Sequence, residues 1–174
     1  MSLNHATTAA IKDAKQRQDW VACVDLCSKA IDDNSILSPD DIYGLKLTLA
    51  MALLEDHSKW EANCEKALSI YEYLLSGVSA MSSRWTSLNR NLGYVYRNRA
   101  VGEKDKNIVA SIRHYEDALQ GLENSEDATL RASIHAEIGH AYLELECGSR
   151  LRNAQRAGPH AKRVRRNVRQ INVC

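Results

Sequence analysis

An all-α chain of stacked helical hairpins is the fold class this sequence predicts, and three observations carry it. Two prolines, eight glycines and no phenylalanine in 174 residues leave few natural breaks, while Leu, Ala, Glu, Lys and Arg, the strong helix formers, dominate most windows. A shift of 46 residues lays the third quarter of the chain on the fourth without a gap. Ser87 then meets Ser133, Leu92 meets Ile138, Gly93 meets Gly139, Tyr96 meets Tyr142, Gly102 meets Gly148 and Asn107 meets Asn153. Self-similarity at a fixed period of this size marks a repeat architecture. Finally, LCSKAI at 26–31, NCEKAL at 63–68 and HYEDAL at 114–119 follow one plan. Each has a medium or large residue (Cys27, Cys64, Tyr115), two polar positions, then alanine and an aliphatic residue.

The expected helices span about 5–17, 20–34, 39–55, 58–76, 82–99, 106–121, 126–146 and 150–157, joined by short connections. Ser38-Pro39-Asp40-Asp41 opens the third with a capping serine, proline at the first helical position and acids on the macrodipole. Within it Leu49, Ala50 and Leu53 form a large–small–x–x–large core, as do Leu92, Gly93 and Tyr96 in the fifth. The small residue lets a neighbouring helix approach, and its flanking residues fill the gap. The matching surface on the sixth helix is Ser111, Tyr115 and Ala118, which share one face by their spacing. Gly121 closes that helix; Asn124 or Ser125 caps the next, with Glu126 and Asp127 in its first turn. Pro159 after Gly158 ends the last, since a proline inside a helix costs about 3 kcal/mol. The expected organisation is a repeat domain over 1–157, about four hairpins with the last incomplete, and a basic tail over 158–174.

Charge is uneven along the chain. Of 23 Lys and Arg, eight follow Ser149, where none of the 22 Asp and Glu lie, so the first 148 residues carry a formal −7. No stretch approaches the roughly 18 apolar residues of a membrane span, and the N-terminus lacks a signal-peptide core. Five cysteines without framework spacing suit reduced thiols, and so a cytoplasmic protein, better than a disulfide scaffold.

These residues resemble the tetratricopeptide repeat, whose unit has a first helix of W-x2-L-G-x2-Y type and a second with A-x3-F/Y-x2-A. Leu92, Gly93 and Tyr96, then Ser111, Tyr115 and Ala118, supply one such unit; Trp20, Cys23, Cys27 and Ala30 supply the second-helix half of another, while Ala10, Ile11 and Ala14 match the first-helix half poorly. The joint RNRAVGEKDKNIVASIRHYEDAL is similar to the longer G-x4-N joints of bacterial and fungal tetratricopeptide arrays. The resemblance implies a right-handed superhelical stack of antiparallel hairpins whose concave wall comes mainly from the first helices.

Nothing commits the chain to catalysis, and no metal or cofactor is expected. Cys23 and Cys27 lie four apart on a helix, but read as small and medium core positions. His135 and His140 are five apart, which swings them to different faces and rules out a shared zinc of the HExxH kind. Phosphate-loop and nucleophile-elbow motifs are absent. Carried over from the resemblance, the wall positions are Leu47, Met51 and Leu54 in unit two, Arg90, Tyr94 and Arg97 in unit three, and Ala136, His140 and Leu143 in unit four, with Lys12 and Lys15 in unit one. Apolar positions flanked by cations suit a peptide or partner protein with acidic and aliphatic side chains. A chaperone-carboxylate clamp is not expected: Asn91 stands where one of its asparagines would, but Leu47, Met51, Ser133 and Glu137 cannot supply the rest. The alternative partner is nucleic acid or an anionic surface, held by Lys162, Arg163, Arg165, Arg166 and Arg169 through phosphate contacts. A third reading is self-association through the last hairpin.

Overall fold

The computed structural model describes residues 5–33, 37–123, 125–145 and 158. It is all-α: seven α-helices and one 3-10 turn, with no strand among the described residues. Two compact units divide the chain, Met1–Ser76 and Gly77–Cys174. The helix expected at 150–157 and the basic tail beyond Gly158 lie outside the described residues.

In the first unit, α1 (His5–Gln16), α2 (Trp20–Asp32), α3 (Pro39–Glu55) and α4 (Trp60–Ser76) pack in chain order, each on the next. α1 ends where Gln18 turns into the left-handed region at φ 57. There the Gln18 and Asp19 N–H groups donate back to Lys15 and Ala14 carbonyls, the two bonds of a Schellman motif. The same Asp19 caps α2 by accepting from the Ala22 N–H at 3.1 Å. Ser38 and Asp41 form the reciprocal capping box that the sequence announces, with Pro39 opening α3. Ile11, Ala14, Cys23, Cys27, Leu45 and Ala52 are buried together.

In the second unit, α5 (Ser83–Asn98), α6 (Lys104–Gln120) and α7 (Ala128–Glu144) follow the same sequential packing. The α5–α6 pair is antiparallel: Asn107 at the start of α6 reaches Arg99 just past the end of α5, while His114 further on reaches back to Asn89. α7 starts at Ala128, capped by Asp127, whose carboxylate accepts from the Leu130 N–H at 2.8 Å. Ser125, expected as a cap, instead accepts from the Asp127 N–H, and Asn124 lies outside the described residues. A carboxylate suits the positive end of the helix better than a hydroxyl does.

The interlocking surface behaves as its small residue requires. A Cβ built on Gly93 would lie 2.7 Å from two ring atoms of Tyr115, so the Tyr115 ring occupies the space a side chain would need. Beside it the Ser111 hydroxyl donates to the Gly93 carbonyl at 2.7 Å. Burial also repeats at the 46-residue shift: Thr86, Leu88, Asn89, Leu92, Gly93 and Val95 in α5 recur as Ala132, Ile134, His135, Ile138, Gly139 and Ala141 in α7.

For the second helices the register differs from the hexamer match. Buried residues in α4 are Asn63, Cys64, Ala67, Leu68, Tyr71 and Leu74; in α6 they are Asn107, Ile108, Ser111, Ile112, Tyr115 and Ala118, the same series 44 residues on. Tyr71, not Cys64, therefore holds the place of Tyr115. Aligning NCEKAL with HYEDAL shifts the pair by seven residues. Two helical turns nearly restore a residue's direction, so both registers present similar patterns and sequence could not separate them.

The joints explain two polar core residues. Asn107 donates to the Val101 carbonyl at 2.9 Å and the Arg99 carbonyl at 3.4 Å, while Gly102 turns the chain at φ 91. This is the physical content of the G-x4-N joint: a left-handed turn only glycine adopts cheaply, tied down by a buried amide. Asn63, at the matching place on α4, donates to the carbonyl and carboxylate of Asp56.

Candidate partner-binding faces

On the second unit the repeat register sets Arg90, Tyr94 and Arg97 of α5 level with Ala136, His140 and Leu143 of α7. Arg90 and His140 are exposed, Ala136 is half-buried, and Tyr94 and Leu143 expose 43% and 65% of their surface. Arg97 is placed differently from its expected role as a cation offered to a partner. Its side chain is only 20% exposed, because it spans from α5 to two carboxylates of α7. The guanidinium donates to Glu137 at 2.6 Å and, through Nε, to Glu144 at 2.9 Å, with Nη2 also on Glu144. Burial alone would lower the Arg97 pKa; the hydrogen bond and charge of Glu144, with the charge of Glu137, leave it raised.

Glu137, His140 and Glu144 share one stripe of α7, at spacings of three and four. Beneath this face lies Tyr115, whose hydroxyl is pushed up in pKa by burial and by the charge of Glu137, with Arg97 and Arg90 acting in the opposite sense. Read from sequence, Arg97 had no partner within the chain, and so Glu137 and Glu144 were not found. The 46-residue shift does place Arg97 level with Leu143, beside Glu144, but level positions on two helices do not show that their side chains meet.

Also in this unit, His114 stacks on Tyr96 with centroids 5.3 Å apart and rings 13° from parallel. Its Nδ1 lies 2.9 Å from the side-chain Oδ1 of Asn89, and the Asn89 Nδ2 donates to the Trp85 backbone carbonyl. With that amide orientation the His114 Nδ1 carries the proton. His135 is buried and His140 exposed, the separation of faces that a five-residue spacing imposes.

On the first unit, Met51 is 45% exposed, Leu47 is half-buried and Leu54 is buried. Lys12 and Lys15 are exposed on α1. Cys23 and Cys27 are free thiols in the core, and burial lifts Cys27 to a pKa of about 12. Among the described residues no three His, Cys, Asp or Glu are placed to hold a metal ion, and no helix is long and apolar enough to cross a membrane. Lys162, Arg163, Arg165, Arg166 and Arg169 lie outside the described residues.

No protein-family model matches the chain, and no curated protein matches it either. Among solved structures it is similar to the crystal structure of BtubC (BKLC) from P. vanneervenii, with a TM-score of 0.65 and 18% sequence identity. The likeness covers 92% of this chain and 61% of that one, so this chain spans about three fifths of that protein's length. At this identity the two share a fold.

Proposed function

We propose that the chain is a non-catalytic protein–protein interaction module of tetratricopeptide-repeat type, working in the cytoplasm and holding a peptide or partner protein against its first helices. The observation that carries this reading is the α5–α7 face: on α5 an exposed Tyr94 one helical turn from the exposed cation of Arg90, and on α7 an exposed Leu143. Aromatic and arginine side chains anchor interfaces because they offer large contact area with directional polar groups. Sequential helix packing supports it, since hairpins stacked in chain order leave one helix of each pair to face outward. Arg90 selects an acidic group on the partner; Arg97 shapes the surface by holding Glu137 and Glu144 in place.

The test is Arg90→Glu combined with Tyr94→Ala, compared with the parent in quantitative capture from native cytosol. Both residues are exposed, so circular dichroism and the thermal midpoint stay close to the parent. Loss of specifically captured proteins is expected; capture unchanged in identity and amount ends this reading.

A further inference from the structure

With Tyr71, Tyr115 is the largest fully buried side chain among the described residues, 1% exposed, and its ring covers the bare backbone of Gly93. A buried tyrosine ordinarily finds a hydrogen-bond partner for its hydroxyl. Among the described residues the Tyr115 hydroxyl makes no hydrogen bond. It is not sealed in, however, because no described side-chain nitrogen or oxygen closed off from solvent lacks a partner. The hydroxyl therefore keeps a small opening to the surface above it.

That surface is the α5–α7 face. Arg90, Gly93 and Arg97 follow at spacings of three and four along α5, so a ring seated on Gly93 has Arg90 one turn to one side and Arg97 one turn to the other. The charges of Glu137, Arg97 and Arg90 all act on the hydroxyl, and Tyr94 does so too. Tyr71 is the contrast. It holds the same place on α4 and is equally buried, yet burial alone acts on its hydroxyl. Packing a tyrosine between two hairpins does not by itself require the charged surround of Tyr115.

The donors and charges at this place are unequal in their engagement. Arg97 is already held by Glu137 and Glu144, and Glu137 makes its hydrogen bond to Arg97. Arg90 is exposed and forms no ion pair among the described residues. Of the charges that act on the hydroxyl, two are cations, Arg90 and Arg97, and one is an anion, Glu137. Burial keeps the phenol in its neutral, proton-bearing form, so it meets an anion as a donor. A hydroxyl and a guanidinium with protons to give fit an acceptor that carries two oxygens and a negative charge.

We propose that the Tyr115 hydroxyl and the Arg90 guanidinium together receive the carboxylate of an aspartate or glutamate side chain from a partner peptide on the α5–α7 face. Arg90 supplies the attraction, and Tyr115 fixes where the carboxylate sits. This inference rests on that face being the interaction surface. It adds a residue of a second helix, at the floor, to a surface otherwise formed by first helices.

The experiment uses the full chain, labelled with ¹⁵N and with ¹³C at the tyrosine ζ-carbons, and two capped peptides, Ala-Leu-Glu-Leu-Ala and the same with glutamine for glutamate. The Tyr115 ζ-carbon signal, identified by its absence from Tyr115→Phe, should move saturably with the glutamate peptide, together with the Arg90 and Tyr94 amides. Tyr115→Phe keeps the ring on Gly93 and removes one oxygen. It should keep the circular dichroism of the parent and bind the glutamate peptide about tenfold more weakly, as when a hydrogen bond to a charged group is lost. Arg90→Gln should bring the two peptides close to equal affinity, and Tyr71→Phe should bind as the parent does. Undiminished binding to Tyr115→Phe, the same loss in Tyr71→Phe, a still ζ-carbon while the peptide binds, equal affinity of the parent for both peptides, or no saturable shift at all would each overturn the proposal. Undiminished binding to Tyr115→Phe with binding lost in Tyr94→Ala would remove the carboxylate site and leave the α5–α7 face standing. Binding to Tyr94→Ala as tight as to the parent would count against the face itself.

Discussion

The same substitution, glycine to alanine, should move stability in opposite directions at Gly93 and Gly44. Either change improves helix propensity by about 1 kcal/mol. At Gly93 the added Cβ would lie 2.7 Å from Cδ1 and Cε1 of Tyr115 and 2.9 Å from Cγ. Carbon contacts settle at about 3.5–4.0 Å, so the ring must withdraw by nearly an ångström from a fully packed site. Overpacking of this kind costs about 1–3 kcal/mol, and three ring atoms struck at once argue for the upper half. Withdrawal also pulls on the Ser111–Gly93 hydrogen bond. The net is a loss on the order of 1–2 kcal/mol. At Gly44, where an added Cβ would meet nothing within 4 Å among the described residues, the propensity gain remains, about 0.5–1 kcal/mol. Urea unfolding followed by circular dichroism reads both, with midpoints displaced by on the order of 0.5 M in opposite senses. Adding Tyr115→Leu to Gly93→Ala should cost less than adding it to the parent, a coupling that a double-mutant cycle isolates. A Gly93→Ala protein as stable as the parent would refute the claim that this crossing needs a bare backbone.

Further expectations follow the same geometry. Asn107→Ala leaves the Val101 and Arg99 carbonyls without their donor and should cost about 1–3 kcal/mol, read as a lower urea midpoint. Arg97→Met should cost about 1 kcal/mol, because Glu137 and Glu144 remain about one third exposed and stay hydrated; Arg97→Glu, which gathers three carboxylates, should cost clearly more, and equal midpoints for the two would sink the ion-pair account. Burial raises Cys27 from 9.0 to about 12, so the folded state resists forming the thiolate. Its stabilising share is complete below pH 9 and is lost as pH climbs from 9 toward 12. Cys27→Ala should flatten that part of the stability–pH curve, and alkylation mapped by mass spectrometry at pH 8 should spare Cys23, Cys27 and Cys64 while the chain is folded.

Much of this architecture is legible in particular residues. Ser38-Pro39-Asp40-Asp41 located the start of α3 because capping is a contact among neighbours in sequence. The 46-residue shift located equivalent core positions of α5 and α7 because burial on a helix has a period the chain must obey. Less was legible where a choice depends on what lies across a gap. The seven-residue ambiguity between NCEKAL and HYEDAL is invisible to periodicity, since both registers face the same way. Arg97 read as an offered cation because its partners, Glu137 and Glu144, lie 40 and 47 residues away.

By itself, the sequence determined helix class, most helix limits, the repeat at α5 and α7, and the glycine that Tyr115 packs against. Each of these follows from local propensity or from spacing along one helix. Tertiary structure alone decided the register of the second helices and the engagement of Arg97. Those depend on distances between elements that no single helix encodes.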